Sequence, residues 1–289
     1  MTFIRWLNRH GWIFSLAGLL CTAAVLYFVA PPLLKWGNSG QFFLWLLKVF
    51  FIAAIITVLF YAPLRVFGFL RQCCTNAEVG ASCEACIQTL DPEPLVAVCR
   101  ELQMAWWRTW PLPSLYPTIQ LTLSKAYNEL GRFQEAEQEL NRLLPAYERY
   151  GLGTKLCVES VAVVAKLRVG KPEDARSYLT ELARHVDKLR EDTARKQWQD
   201  ILQNRRCLYR LLTEGSSEEL LSAYQQELTG CKDLHDQVVT RMNLARCLLD
   251  LGRRDEARPH LAFVAENGGK LAIRAEASAR LAALSSTEN

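Results

Sequence analysis

Apolar positions change rhythm once along this chain. Up to residue 72 they form long unbroken runs; beyond residue 75 they recur every three or four positions. Two runs stand out. Trp12 to Ala30 is nineteen residues without a charge and stops at Pro31-Pro32, while Gln41 to Ala62 is twenty-two residues with Lys48 as its one charge and stops at Pro63. Each reaches the ~20 apolar residues needed to cross hydrocarbon. The ten-residue link between them predicts a tight hairpin of two spanning helices. Lys48 sits near the start of its run, where a long stem carries the ammonium to the headgroups, and Tyr27, Trp36, Trp45 and Tyr61 are placed as interface anchors. A cleaved signal peptide does not fit, because the first run exceeds the ~7–15 residues of a signal core and Phe28-Val29-Ala30 is a poor cleavage site.

The remainder carries the helical period throughout and no strand-like alternation. It also repeats. A glycine that ends one helix is followed five residues later by a small or apolar residue of the next, at Gly131/Ala136, Gly170/Ala175, Gly252/Ala257 and, in degenerate form, Gly215/Leu220. Glycine takes the left-handed conformation that closes a helix, and a small side chain lets two helix backbones approach. Asp91-Pro92-Glu93 predicts a helix start, with a capping carboxylate and an acidic first turn. It separates helices near 76–90 and 94–110. Three parts follow: a transmembrane hairpin over 1–72, a juxtamembrane helix pair over 73–113, and repeats over 114–289 with a capping helix over 270–284.

Two copies resemble tetratricopeptide repeats (TPR). In the first, Leu123, Tyr127, Gly131, Phe133, Ala136 and Leu140 fall on that family's signature spacing, with Ser124 where Gly or Ala is usual. In the second, Leu244, Ala245, Leu248, Gly252, Ala257 and Leu261 do so, with Arg254 in place of the aromatic. The middle copies depart further, with Pro172 and Ser217 at the aromatic position and glycine spacings of 39, 45 and 37 residues. The resemblance covers about residues 115–285. It implies an all-α fold, a right-handed solenoid whose concave groove holds a peptide or helix of another protein. The groove would be formed by the first helix of each pair, which makes Lys125, Asn128, Asn243 and Arg246 candidate partner-binding residues.

Charge places the two halves in different surroundings. Residues 1–72 hold Arg5, Arg9, Lys35, Lys48, Arg65 and Arg71 and no acid, so the formal +4 belongs to the apolar end and the rest is near neutral. A nucleic-acid binder would need a strongly basic domain, so no nucleic-acid partner is expected. Four arginines outside the hairpin against two lysines in and beside its loop put both termini, and the helical part, in the cytoplasm. Nine cysteines beyond residue 72, an odd count without framework spacing, agree with a reducing compartment.

Four of those cysteines, Cys73, Cys74, Cys83 and Cys86, lie just past the second run. One reading is a metal- or redox-responsive cluster, although a zinc ribbon normally carries two CxxC knuckles and no histidine lies nearby. The other sets Val79, Cys83, Cys86, Ile87 and Leu90 on one core-facing stripe, followed by Leu95, Cys99, Leu102 and Trp106 on the next helix, with cysteine used throughout as a small hydrophobe. Cys157, Cys207 and Cys247 fit that second reading. Cys73 and Cys74 are also within reach of S-acylation. Trp106, Trp107 and Trp110 either touch headgroups or pack the first helix pair, and the charged stretch 184–210 reads as a solvated helix face or a surface for acidic partners. No GxSxG, HExxH or Walker loop occurs, so neither an enzyme nor a cofactor is expected.

Overall fold

A computed structural model of the chain describes residues 73–104 and 115–286. Both sequence-predicted spans and the Trp106–Trp110 stretch lie outside the described residues. Among the described residues every regular element is a helix, and no helix is long and apolar enough to cross a membrane. The chain divides into two compact units, Met1–Glu78 with Ala105–Leu115 and Val79–Met104 with Tyr116–Asn289. Of the first, residues 73–78 and Leu115 are described, and both stretches are helical.

The second unit is a succession of helix pairs. α1 covers residues 73–89 and α2 Glu93–Met104. Leu115–Glu129 (α3) pairs with Phe133–Asn141 (α4), and a 3-10 turn, Leu144–Arg149, leads into Leu152–Arg168 (α5) and Pro172–Asp187 (α6). Asp192–Thr213 (α7) pairs with Glu218–Gly230 (α8), Leu234–Asp250 (α9) with Arg254–Asn267 (α10), and Ala272–Ser286 (α11) ends the described chain. The 39- and 45-residue glycine spacings exceed the family's usual 34 residues because of two additions. The 3-10 turn follows α4, and α7 runs to 22 residues.

Each repeat glycine does what its position requires. Gly131, Gly170, Gly215 and Gly252 have φ of 75°, 76°, 87° and 77°. At Gly131 the amide of Arg132 donates to Tyr127 O (2.8 Å) and that of Gly131 to Asn128 O (3.2 Å), the paired bonds that close a helix through a left-handed residue. The same pair recurs after α5 and α9. The degenerate copy differs, because the amides of Glu214 and Gly215 both donate to Arg210 O and the next helix starts one residue later, at Glu218. The residues five places on, Ala136, Ala175, Leu220 and Ala257, are all fully enclosed. Ser124, the departure from the family pattern, is buried at the α3–α4 crossing and donates to Ala136 O (2.8 Å). Pro172 and Ser217 are helix-start residues: Pro172 opens α6, and the Ser217 hydroxyl accepts the Leu220 amide (3.2 Å). At the start of α2 the Glu93 amide donates to Asp91 Oδ1 (3.1 Å), as the Asp-Pro-Glu sequence predicts.

A buried polar cluster ties the 3-10 turn to α5 and α6. Glu159, fully enclosed on α5, accepts from the Tyr147 hydroxyl and bonds His185 Nδ1 at 2.6 Å. Burial raises the Glu159 pKa above the usual carboxylate range.

The row of pairs bends until its ends meet. Lys270 N donates to Leu90 O (2.9 Å), Lys270 Nζ pairs with Asp91 (2.6 Å), and His235 on α9 bonds Glu129 on α3 (2.9 Å). Leu90, left-handed at φ 52°, packs with Val238, Met242, Leu261 and Leu271 of the last helices. This corrects the expected stripe. Val79 and Cys86 do face Leu95, Cys99 and Leu102, but Leu90 leaves that cluster to join the opposite end, and Ile87 is exposed. The stretch 184–210 is corrected too. It is two helices, α6 and α7, broken over 188–191, where Arg195 Nε turns back to cap Leu189 O (2.9 Å).

Candidate functional site

The first helices of the pairs supply most of the inner face, joined by α8 and α11. Side chains of α3, α5, α7, α8, α9 and α11 line one concave cavity of about 420 Å³. Lys125 and Asn128 come from α3, Val161, Val164 and Arg168 from α5, Ile201, Arg205 and Leu208 from α7, and Asn243 and Arg246 from α9. All four sequence-predicted partner residues, Lys125, Asn128, Asn243 and Arg246, therefore lie on one surface. They are not equivalent. Arg246 is buried and its Nε and Nη1 bond Glu276 of α11 and Asn243 at 3.0 Å, so it fastens the last helix to α9. Among the described residues the side chains of Lys125 and Asn128 make no such bond, and the Asn128 side-chain carbonyl oxygen is enclosed without a hydrogen-bond partner.

Sequence reasoning did not single out Arg168, Arg205, Tyr224 or His235. Arg168 lies within 5.8 Å of the Phe133 ring centroid, and among the described residues it donates no hydrogen bond. Burial, with Arg246 nearby, pulls its pKa down to about 10, so it is still a cation at neutral pH. Arg205 Nε donates to the Ser160 carbonyl (3.2 Å) and hydroxyl (3.1 Å). Tyr224 is 2 % exposed, its hydroxyl has no partner, and burial raises its pKa, so the phenol keeps its proton. His235 bridges Glu129 and Asp236. Burial alone would lower its pKa, but hydrogen bonds to those two carboxylates outweigh it and raise it to about 9. A heptad-like reading of each first helix, at Val161, Val164 and Arg168 for instance, was the signal available for the inner residues.

The cysteines disperse. Cys73 is exposed, Cys74 and Cys83 are half-buried, and Cys86 is buried. Burial pushes the Cys86 thiol up to about 11 and that of Cys99 to about 12, the state of a packed neutral thiol rather than a thiolate ligand. Among the described residues the group of metal-capable side chains is a different one, Asp233, His235 and Asp236. Its members are engaged elsewhere, since Asp233 caps the Asp236 amide (2.8 Å) and His235 holds Glu129. The use of cysteine as a core residue holds for Cys86, Cys99, Cys207 and Cys247 but not for Cys157, which is exposed.

The repeat-defining residues do occupy structural positions. Tyr127 and Ala136 are fully enclosed, and Arg100 Nε donates to the Tyr127 hydroxyl (2.7 Å) while Arg132 stacks over its ring at 4.7 Å. None of them is part of the cavity.

Comparison with known proteins gives one finding. A tetratricopeptide-repeat family model matches residues 238–262, which span most of α9 and the first part of α10. No curated protein and no solved structure matches the chain. The matched segment contains Gly252 and Ala257, and the same glycine-closed pairing recurs along the described chain, so match and geometry together support a tetratricopeptide-like helical architecture with a protein-interaction face.

Proposed function

We propose that this chain is a membrane-anchored, non-enzymatic scaffold whose tetratricopeptide-like repeats hold a segment of a partner protein at the cytoplasmic face of a membrane. The observation that carries the reading is the convergence of first-helix side chains from successive pairs on one concave surface. A packed solenoid displays its inner helices without spending them on the core, which leaves that face available for recognition. The apolar runs 12–30 and 41–62, with their flanking arginines, support the anchor and its orientation. Anchoring confines the search for a partner to the membrane surface, so modest affinity suffices to assemble a complex.

Crosslinking capture from native membranes tests the scaffold. The full chain is compared with a variant carrying Asn128→Arg and Val164→Arg, which fill the inner face. The expected result is a partner recovered with the parent chain and lost with the variant; equal recovery by both would remove the inner face from the mechanism. Alkaline carbonate extraction tests the anchor separately. Retention in the membrane pellet is expected, and release into the supernatant would rule out an integral hairpin.

A further inference from the structure

Some polar groups of the cavity have no hydrogen-bond partner among the described residues. Arg168 brings a positive charge to it and, among the described residues, makes no hydrogen bond. Its electrostatic neighbours are Arg246, another cation, and Glu276, which is already bonded to Arg246 and to Arg280 (3.0 Å each). Tyr224 stands among these charges, within electrostatic reach of Arg168, Arg205 and Arg246, and it is enclosed with an unused hydroxyl. A buried hydroxyl without a partner, such as that of Tyr224, costs free energy, and a bound acceptor removes that cost.

The other charges limit what that acceptor is. Glu129 and Asp236 are matched by His235 and Lys125, Glu227 faces Arg205, and Glu276 holds Arg246. The surplus therefore amounts to one cation, that of Arg168, and a dianion would meet the nearby carboxylates. The remaining wall is apolar, from Val161, Val164, Leu208, Val239 and Ile273. A cavity of about 420 Å³ falls in the size range of small-molecule sites, ~300–1,000 Å³, which combine apolar walls with a few convergent polar groups.

We infer that this cavity binds a small organic monoanion, a carboxylate on a short apolar body, with Arg168 as its counter-ion and the Tyr224 hydroxyl as a hydrogen-bond donor. The site goes beyond the scaffold reading and does not depend on it. The carboxylate accepts from the Arg168 fork and from Tyr224, and the body lies against the α5 and α7 side chains. The anchor of the ligand is an arginine on an inner helix, so a ligand of this kind occupies the face where a partner segment would lie.

The test uses the purified full chain and three matched probes, benzoate, benzyl alcohol and benzylamine, with affinities read by saturation-transfer NMR. Charge-assisted hydrogen bonds predict that benzoate binds roughly tenfold or more tighter than the other two. Arg168→Gln should abolish that preference while leaving benzyl alcohol unchanged. Tyr224→Phe, which keeps the ring in its packing, should weaken benzoate by roughly three- to tenfold. Equal binding of benzoate and benzyl alcohol would overturn the assignment. So would unchanged benzoate affinity in either folded variant, judged by an unaltered far-UV circular dichroism spectrum. Inorganic phosphate serves as a fourth probe, and competition as strong as that of benzoate would replace the monoanion with a multiply charged ligand. Capture of a protein partner, whether it succeeds or fails, leaves this result untouched.

Discussion

At the scale of single residues, two glycines with the same conformation carry different loads. Gly131 and Gly170 both sit near φ +75°, but a Cβ on Gly131 would lie 2.8 Å from the Ala272 Cβ, whereas a Cβ on Gly170 would meet nothing within 4 Å. Gly170→Ala should therefore cost only the left-handed conformation, about 1–2 kcal/mol. Gly131→Ala should cost more, because the α3–α4 turn must also move away from α11. Thermal unfolding of the two variants checks the order, and equal shifts would mean that the turn and α11 do not meet. Leu90 is the opposite case, a bulky side chain held left-handed and 1 % exposed. Its backbone strain is tolerated because the side chain fills the core of the last helices. Leu90→Ala keeps the strain and removes the filling, and a loss of about 2–4 kcal/mol is expected from denaturant unfolding.

At the scale of elements, the ends of the helices explain why the middle copies look degenerate in sequence. The family's aromatic position falls at the second residue after the glycine, and Phe133, Pro172 and Arg254 all open a helix there. Where Ser217 takes that place the helix starts a residue later and the serine caps it. Ser217→Ala should then cost about 1 kcal/mol, measured by chemical denaturation, because the Leu220 amide loses its acceptor. The α5–α6 pair depends on a different device. Glu159 has one oxygen shared by Tyr147 and His185, and its other oxygen is enclosed without a partner. His185→Ala strands that carboxylate further, and a destabilisation of about 3 kcal/mol is expected in the same assay. Neither device is visible as a repeat feature, since both the serine and the Glu159 cluster occur once.

At the scale of the whole unit, closure is the property that matters, and it is pH-dependent. The His235 pKa is raised from its ordinary 6.5 to about 9, since hydrogen bonds to Asp236 and Glu129 outweigh burial, with Lys125 opposing. A raised pKa means that the folded state binds the proton more tightly. The contribution is present in full below about 6.5 and is lost as pH rises through about 9. A shift of this size corresponds to at most about 3 kcal/mol, less after screening at a site that is partly open. The thermal transition of the parent chain should fall between pH 6.5 and 9 relative to that of His235→Gln. Parallel curves for the two would show that the α3–α9 bridge adds nothing.

The local rules of the chain were legible without a structure. Helical period, four glycine turns and the enclosed small residues follow from backbone sterics and close packing, which act over a few residues and leave their mark in spacing. The grouping of Lys125, Asn128, Asn243 and Arg246 on the inner face followed from the family's pairing rule, and the structure sets them on one cavity. What no spacing encodes is the meeting of residues far apart in the chain. Leu90 with Lys270, Glu129 with His235 and Gly131 with Ala272 are brought together by the accumulated rotation of successive pairs, a quantity set by every crossing at once. The same rotation gathers Arg168, Arg205 and Tyr224 around one cavity and strips Tyr224 of water. Sequence alone determined which residues turn, pack and face inward; tertiary structure decided which of the inward residues share a site, because burial and mutual distance are properties of the closed assembly of helices rather than of any one of them.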